Sequence, residues 1–470
     1  MAVTIMAIGL LVFAGHFLTG LFQRTKIPDV LILMLAGIVL GPILHVVTPE
    51  DFGLVGPVFT TLALIVILFE GGIHLSIREL GSAAKDTLLL SLATYAMTCL
   101  LITYLVDFLL PVDALTALLI GTILGGTSSA VVVPLLRVLG ISELPRTVLM
   151  LESALTDVLA VVLSLGIMRA LTPGEAVTAG GVMGTVATSF LIAALIGLGG
   201  AFIWSAVLPL VRQFPNTVFT TVAYVLILFG LTELLGYSGA IASLTFGIAA
   251  ANLPSIPERL LGKVLSFRLV GFAEMERTFF AEIVFLVKTF FFVYLGISIS
   301  FTDLRAVAVG LSLAIVAFVG RIIMSRLILD KRIPRREALH TVALIPKGLA
   351  AAVLASLPAQ RGLPDGELVQ GTVYAVVFFS IVLCAVLVYA IESGRLDGFG
   401  SIFFKPFPMT APPDQPPATT TVPAYDQSLG LPALQTTPIE EPNPVDFDKI
   451  PKTGEPSDDR PGDPHQPPNS

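Results

Sequence analysis

Charge is what this chain has least of. Only 13% of its 470 residues are Asp, Glu, Lys or Arg, about half the share usual in soluble domains, which excludes a soluble globular protein. Its two cysteines, Cys99 and Cys384, both fall inside apolar runs, so neither a disulfide framework nor a cysteine zinc cluster is available. The five histidines, His16, His45, His74, His340 and His465, form no ligand spacing. No basic flank precedes the first apolar run and no small-residue cleavage site follows it near Gln23, so it reads as a retained helix and not a signal peptide. What fills the chain instead is apolar: 55% hydrophobic residues and a mean hydropathy of +0.89 mark a polytopic membrane protein.

Windows of about 20 apolar residues predict an all-α protein of about thirteen transmembrane helices, near 2–22, 28–47, 56–75, 87–110, 114–136, 147–171, 182–208, 218–235, 239–253, 279–300, 304–328, 338–358 and 371–391. Basic residues cluster in alternate loops, at Arg24 and Lys26, Arg78 and Lys85, Arg137 and Arg146, Arg212, Arg259 to Arg277, and Arg326 to Arg336. The loops between them carry few, Arg305 and Arg361, and lean acidic at Glu50, Asp51 and Asp113. The positive-inside rule then sets the N-terminus outside and the C-terminus in the cytoplasm, as an odd number of spans requires. Ile256 to Glu282 mixes Arg and Lys with Leu and Phe and is expected to form an amphipathic helix on the cytoplasmic face. Two regions are expected: a membrane domain over 1–395, and over 396–470 a cytoplasmic tail that becomes Pro-rich and acidic and, from about Met409, disordered. That tail accounts for much of the net charge of −7, which therefore says little about a ligand. No nucleic-acid partner and no cofactor are expected.

Ionisable residues at membrane depth cost about 2.5–3.5 kcal/mol each on insertion scales, so they mark function. In the sixth span the run LESALTDVLAVV holds two, Glu152 and Asp157. At helical spacing Ser153 and Asp157 share one face, and Glu152 and Thr156 the next. One face suits a cation and the other a structural ion pair. Arg321, in AFVGRIIMSRL, is deep enough to need a partner, and Glu152 is the candidate. Lys288, about ten residues into the tenth span, either pairs with Asp157 or reaches the cytoplasmic interface. Glu70, in LFEGGIHL, is either part of the same site or an interfacial carboxylate. Glu233, near the outer end of the eighth span, is expected to be solvated.

Two spans are interrupted. The fifth, LLIGTILGGTSSAVVVPLL, carries Gly125, Gly126, Thr127, Ser128 and Ser129 at mid-depth, and the twelfth, ALHTVALIPKGLAAAVLASLP, carries Pro346, Lys347 and Gly348 there. Two oppositely directed broken helices in corresponding positions point to a secondary transporter built from inverted repeats, spans 1–6 and 8–13, linked by span 7. Broken helices free backbone groups and expose partial charges at their ends. Lys347 is suited to balancing converging C-terminal ends. Thr127 and Ser128, with freed carbonyls, offer the oxygen ligands that a hard cation prefers.

Together LFEGG, GGTSSA, the ESxxxD of the sixth span, and FFFVYLG followed by PKGLAA resemble the cation/proton antiporter superfamily, specifically its NhaP/NHE-like sodium/proton branch. The resemblance covers roughly 1–395. It implies thirteen helices, a homodimer formed by a scaffold domain, and a mobile six-helix core that moves in an elevator-like cycle. It also implies that Asp157 binds cation or proton, with Ser153 and the Thr127 region assisting. Glu70 matches an acid near the ion, Glu152 and Arg321 match a structural pair, and Lys347 matches a basic residue in the broken helix. Two positions depart from the branch: Thr156 replaces the common Asn, and Thr127, Ser128, Ser129 replace the usual Thr-Asp-Pro, removing one acid.

A monovalent cation, Na⁺ or Li⁺, competing with the proton for Asp157 is the expected mechanism, in the plasma membrane. A potassium/proton antiporter with the same residues is the alternative. An intramembrane protease would need two facing carboxylates or a Ser/His pair, and a channel would need a repeated carbonyl or charged ring. Neither pattern is visible.

Overall fold

A computed structural model describes residues 2–52, 55–75, 77, 85–171, 179–214, 217–253, 271–299 and 304–409. The helices are α1 (Ala2–Thr25), α2 (Asp29–Ile38, continued by a π-helical turn over Val39–Ile43), α3 (Val55–His74), α4 (Lys85–Leu109), α5a (Ala114–Gly125), α5b (Ser129–Val138), α6 (Glu143–Ala170), α7 (Ala179–Val211), α8 (Val218–Leu234), α9 (Gly239–Asn252), α10 (Glu274–Ser298), α11 (Leu304–Ile328), α12a (Arg335–Ala343), α12b (Leu349–Gln360), α13 (Gly366–Glu392) and α14 (Asp397–Phe403). Among the described residues, with the halves of α5 and of α12 each counted as one span, thirteen apolar helices stand where the sequence predicts them. Seven are long and apolar enough to cross a membrane, and six are shorter apolar helices. Large apolar side chains such as Leu100, Tyr104 and Phe108 of α4 and Ile227 and Leu231 of α8 stay exposed, as lipid-facing side chains do.

Both breaks fall in the fifth helix of a six-helix half, α1–α6 and α8–α13. Packing repeats the correspondence. α2 lies along α10, and a Cβ on Gly37 would stand 2.1 Å from the Val293 carbonyl oxygen and 3.0 Å from Gly296 Cα. α3 lies along α9 in the same way, with a Cβ on Gly72 2.4 Å from the Leu244 oxygen and 3.1 Å from Gly247 Cα. The shift that carries α3 onto α10 carries α9 onto α2, so the two glycine-faced pairs are counterparts. Small residues let membrane helices approach to backbone contact, and here they bring out a repeat that residue identity does not.

Around the breaks α4, α5, α6, α11, α12 and α13 pack on one another. Polar links knit this group: the Tyr95 hydroxyl donates to the Thr122 carbonyl at 3.0 Å, and Ser164 Oγ meets Thr122 Oγ1 at 3.1 Å. The end of α1 and the end of α13 share one face, where Glu392 accepts from Lys26 and, at 3.0 Å, from Arg336.

Of the amphipathic helix expected over Ile256 to Glu282, residues 254–270 lie outside the described residues, and from Glu274 the chain already belongs to α10. The tail from 410 onward also lies outside them. Past residue 395 the described chain continues to pack: Gly400 of α14 sits against Leu339, and Phe404 and Phe407 are buried. The Arg335 amide donates to the Pro408 oxygen at 2.7 Å, and Arg326 Nη1 to the Phe403 oxygen at 2.7 Å. The packed chain therefore runs through Pro408.

Candidate functional site

α5 leaves helical geometry at Gly126 (φ −70°, ψ 159°) and restarts at Ser129 after Ser128 (φ −68°, ψ 110°). α12 stops at Ala343 and restarts at Leu349, with Pro346, which has no N–H to continue the helix, between them. The two extended stretches cross in contact: the Ser128 amide donates to the Pro346 oxygen at 2.9 Å. Gly348 lies directly on Ser128, where a Cβ would stand 1.9 Å from Oγ and 2.3 Å from Cβ, so no larger residue fits the crossing. Two helix N-termini, of α5b and α12b, and two C-termini, of α5a and α12a, therefore converge at one point.

Both ends of the α5 break have a partner of opposite sign. Lys347, 2% exposed, extends its ammonium to the Gly126 oxygen at 2.8 Å, on the C-terminal end of α5a, while its own amide donates to Ser380 Oγ of α13 at 2.9 Å. On the N-terminal end of α5b stands Asp157, reaching across from α6: its Oδ2 accepts from Ser129 Oγ at 2.8 Å and from the Ser129 amide at 3.3 Å. Asp157 is half-buried, and among the described residues its Oδ1 has no hydrogen-bond partner. A carboxylate with one oxygen held and one free can take a proton or ligate a cation.

Behind this point Arg321 and Glu152, both 0% exposed, form a two-pronged pair, Nη2 to Oε2 at 2.6 Å and Nη1 to Oε1. Arg321 also donates to Thr94 Oγ1 of α4 at 3.0 Å and, through Nε, to the Thr341 oxygen at 3.1 Å. Thr341 is in the last turn of α12a, so the guanidinium satisfies a carbonyl that the break left without a helical partner. One side chain thus ties α11 to α4, α6 and α12a.

The sodium/hydrogen exchanger transmembrane family matches residues 9–390. The chain belongs to that family. Among its relatives, the K(+)/H(+) antiporter NhaP2 of Shewanella oneidensis is 24% identical over 391 residues, covering 80% of this chain and 64% of that protein. The ammonium/H(+) antiporter subunit AmhT of Alkalihalophilus pseudofirmus is 26% identical over 296 residues, 61% of this chain and 68% of that protein. The solved structure of the sodium proton antiporter MjNhaP1 from Methanocaldococcus jannaschii superposes with a TM-score of 0.64 at 20% identity, over 82% of this chain and 98% of that one, and is similar in fold.

In this family member the other residues singled out in the sequence have hydrogen-bond partners of their own. Ser153 shares its face but turns its hydroxyl back to the Met150 oxygen at 3.0 Å. Thr156 accepts from the Thr127 amide at 3.1 Å and leans on the Ser153 oxygen at 3.4 Å, which clamps α6 to the break. Thr127 and Ser128 are buried within the crossing. Glu70 takes a hydrogen bond from His74 Nε2, 3.0 Å away, in the wall of a crevice lined by Phe69, Val225, Phe280 and Ile283. Of the two alternatives for Lys288, the pairing with Asp157 is corrected: Lys288 pairs at 2.9 Å with Asp29, the first residue of α2, because α10 packs along α2. Glu233 accepts from the Gly239 amide at 2.8 Å. The contact to Asp157 that sequence reasoning missed is Ser129. Its one signal is the third hydroxyl residue of the GGTSSA break.

Proposed function

We propose that this chain is a secondary active antiporter that exchanges a monovalent cation for protons, with Asp157 holding the one and the other in turn. The observation that carries the reading is the place of Asp157, half-buried where two broken helices cross, with one carboxylate oxygen unengaged. A charged, empty carboxylate at that depth is costly, so the site is stable when it holds either a proton or a cation. If the core passes between the two faces only when loaded, exchange follows. A homodimer, an elevator-like movement of the six helices around the crossing, a plasma-membrane location with the N-terminus outside, and a cytoplasmic tail belong to the same proposal and rest on the resemblance and the charge bias of the loops. The matched region spans 64% of the Shewanella relative, so the activity is proposed for this chain on its own residues.

A second reading, potassium for proton, has its own support. The break Thr127, Ser128, Ser129 carries no acid, and a site with fewer charges favours the more easily dehydrated cation. Proton flux in proteoliposomes driven separately by Na⁺, Li⁺ and K⁺ decides between the two readings. Absence of flux with all three rejects antiport.

Exchange is expected to be electroneutral. Thr156 has no accessible ionisation, Glu152 is held by Arg321, and Lys288 is held by Asp29. With sodium as the exchanged ion and a potential clamped by valinomycin and potassium, the steady-state proton gradient should not move with voltage; a voltage-dependent gradient refutes the one-for-one ratio. Deleting 410–470 should leave exchange intact, whereas deleting from Asp397 also removes Phe404 and Phe407 from their buried seats and should lower the melting temperature. Lost transport in an inserted protein that lacks only 410–470 would make the tail part of the machine.

A further inference from the structure

The break in α5 leaves the first amides of α5b without helical acceptors, and Ser129 is the first residue of that helix. Its amide and its hydroxyl do not go to separate partners. Both converge on Asp157 Oδ2, at 3.3 and 2.8 Å. A side chain from α6 thus caps α5b across the helix–helix contact, with a negative group on a positive helix end. Donors aimed at a carboxylate favour its charged form over the protonated one, and because both act on one oxygen, the other is left for a ligand. The charged groups whose field reaches Asp157 are Lys347 from the α12 break and Glu70 from α3. Each has a fixed partner, the Gly126 oxygen and His74, and the remaining charges nearby, Glu152 and Arg321, are paired with each other. Ser129 is therefore the neutral donor placed to tune the carboxylate.

We propose that Ser129 is a positioning residue that sets the pH at which Asp157 gives up its proton to a cation. The proposal rests on the antiport reading for its physiological meaning, but the hydrogen bonds can be tested without transport. The measurement is infrared difference titration of the carboxyl band of purified full-length protein, with Asp157→Asn subtracted to isolate Asp157, alongside the pH profile of cation-driven proton flux. Ser129→Ala should move the titration midpoint, and the acid limb of the flux profile, about one pH unit towards alkaline, the size expected from losing a hydrogen bond to a charged group. Ser129→Thr keeps the hydroxyl and should restore the wild-type midpoint. Ser129→Pro is tolerated at a first helical position and removes both donors, so it should shift the midpoint furthest. Should the alanine variant fail to fold, the isosteric Ser129→Cys, a weaker donor, should shift it in the same direction by less. An unchanged infrared midpoint in folded Ser129→Ala or Ser129→Pro overturns the proposal, as does a threonine variant that shifts like alanine. A shifted midpoint in a protein that shows no flux with Na⁺, Li⁺ or K⁺ leaves Ser129 in this role and rejects antiport.

Discussion

Asp157→Asn should reduce cation-dependent proton flux to the level of protein-free liposomes while leaving the protein folded. Asparagine has nearly the volume of aspartate, and its amide oxygen can still accept from Ser129 Oγ and the Ser129 amide. The cap on α5b therefore survives, with a stability change of about 1 kcal/mol, the worth of weakening one hydrogen bond. What is lost is the charge. An amide neither takes up a proton near neutral pH nor neutralises a cation, and Lys347 already has the Gly126 oxygen as its partner. The check is flux from purified variant alongside its melting curve. Wild-type rates in a protein without this carboxylate would mean that the shared carrier is elsewhere.

Glu152→Ala should act in the opposite sense, on stability first. It leaves the Arg321 guanidinium fully buried with only Thr94 Oγ1 and the Thr341 oxygen as acceptors, and an unpaired buried charge typically costs about 3–5 kcal/mol. The loss falls on the last turn of α12a, so it reaches the crossing as well as the α6–α11 contact. Replacing both partners, Glu152→Leu with Arg321→Met, should recover part of the loss, because no charge is then stranded. Thermal melting in detergent orders the variants: Glu152→Ala well below Asp157→Asn, the double replacement between them. Equal melting temperatures for Glu152→Ala and Asp157→Asn would show that the pair does not hold these helices together.

Features that depend on one helix at a time were legible in the sequence. Thirteen apolar runs, two interruptions at matched depth, and a buried arginine that required a buried acid each follow from the cost of placing polar groups in lipid. Features that depend on which helix faces which were not. Lys288 pairs with Asp29 across 259 positions of sequence, and the choice was made by α10 lying on α2, which no periodicity records. Within the α5 break the chain is not helical, so neither a 3.6- nor a 2-residue period assigns directions to Thr127, Ser128 and Ser129. The residue that meets Asp157 is the one that begins the next helix. Ser153 shows the converse limit: helical spacing placed it on the face of Asp157, yet its hydroxyl has a backbone acceptor one turn away. The repeat showed in the sequence through its two breaks and not through residue identity, because the halves share packing and not residues.

The glycine crossings of α2 on α10 and α3 on α9 have a mechanical consequence. Where Gly37 meets Gly296 and Gly72 meets Gly247, backbone touches backbone and no side chain intervenes to slide or change rotamer. Each crossing is therefore a stiff joint. The pseudo-symmetry that exchanges the two joints also exchanges the two sides of the membrane, so each side of the frame is braced by a joint of the same kind. If the proposed cycle carries the site past this frame, the joints favour neither direction, and the concentration differences of proton and cation set which way it turns.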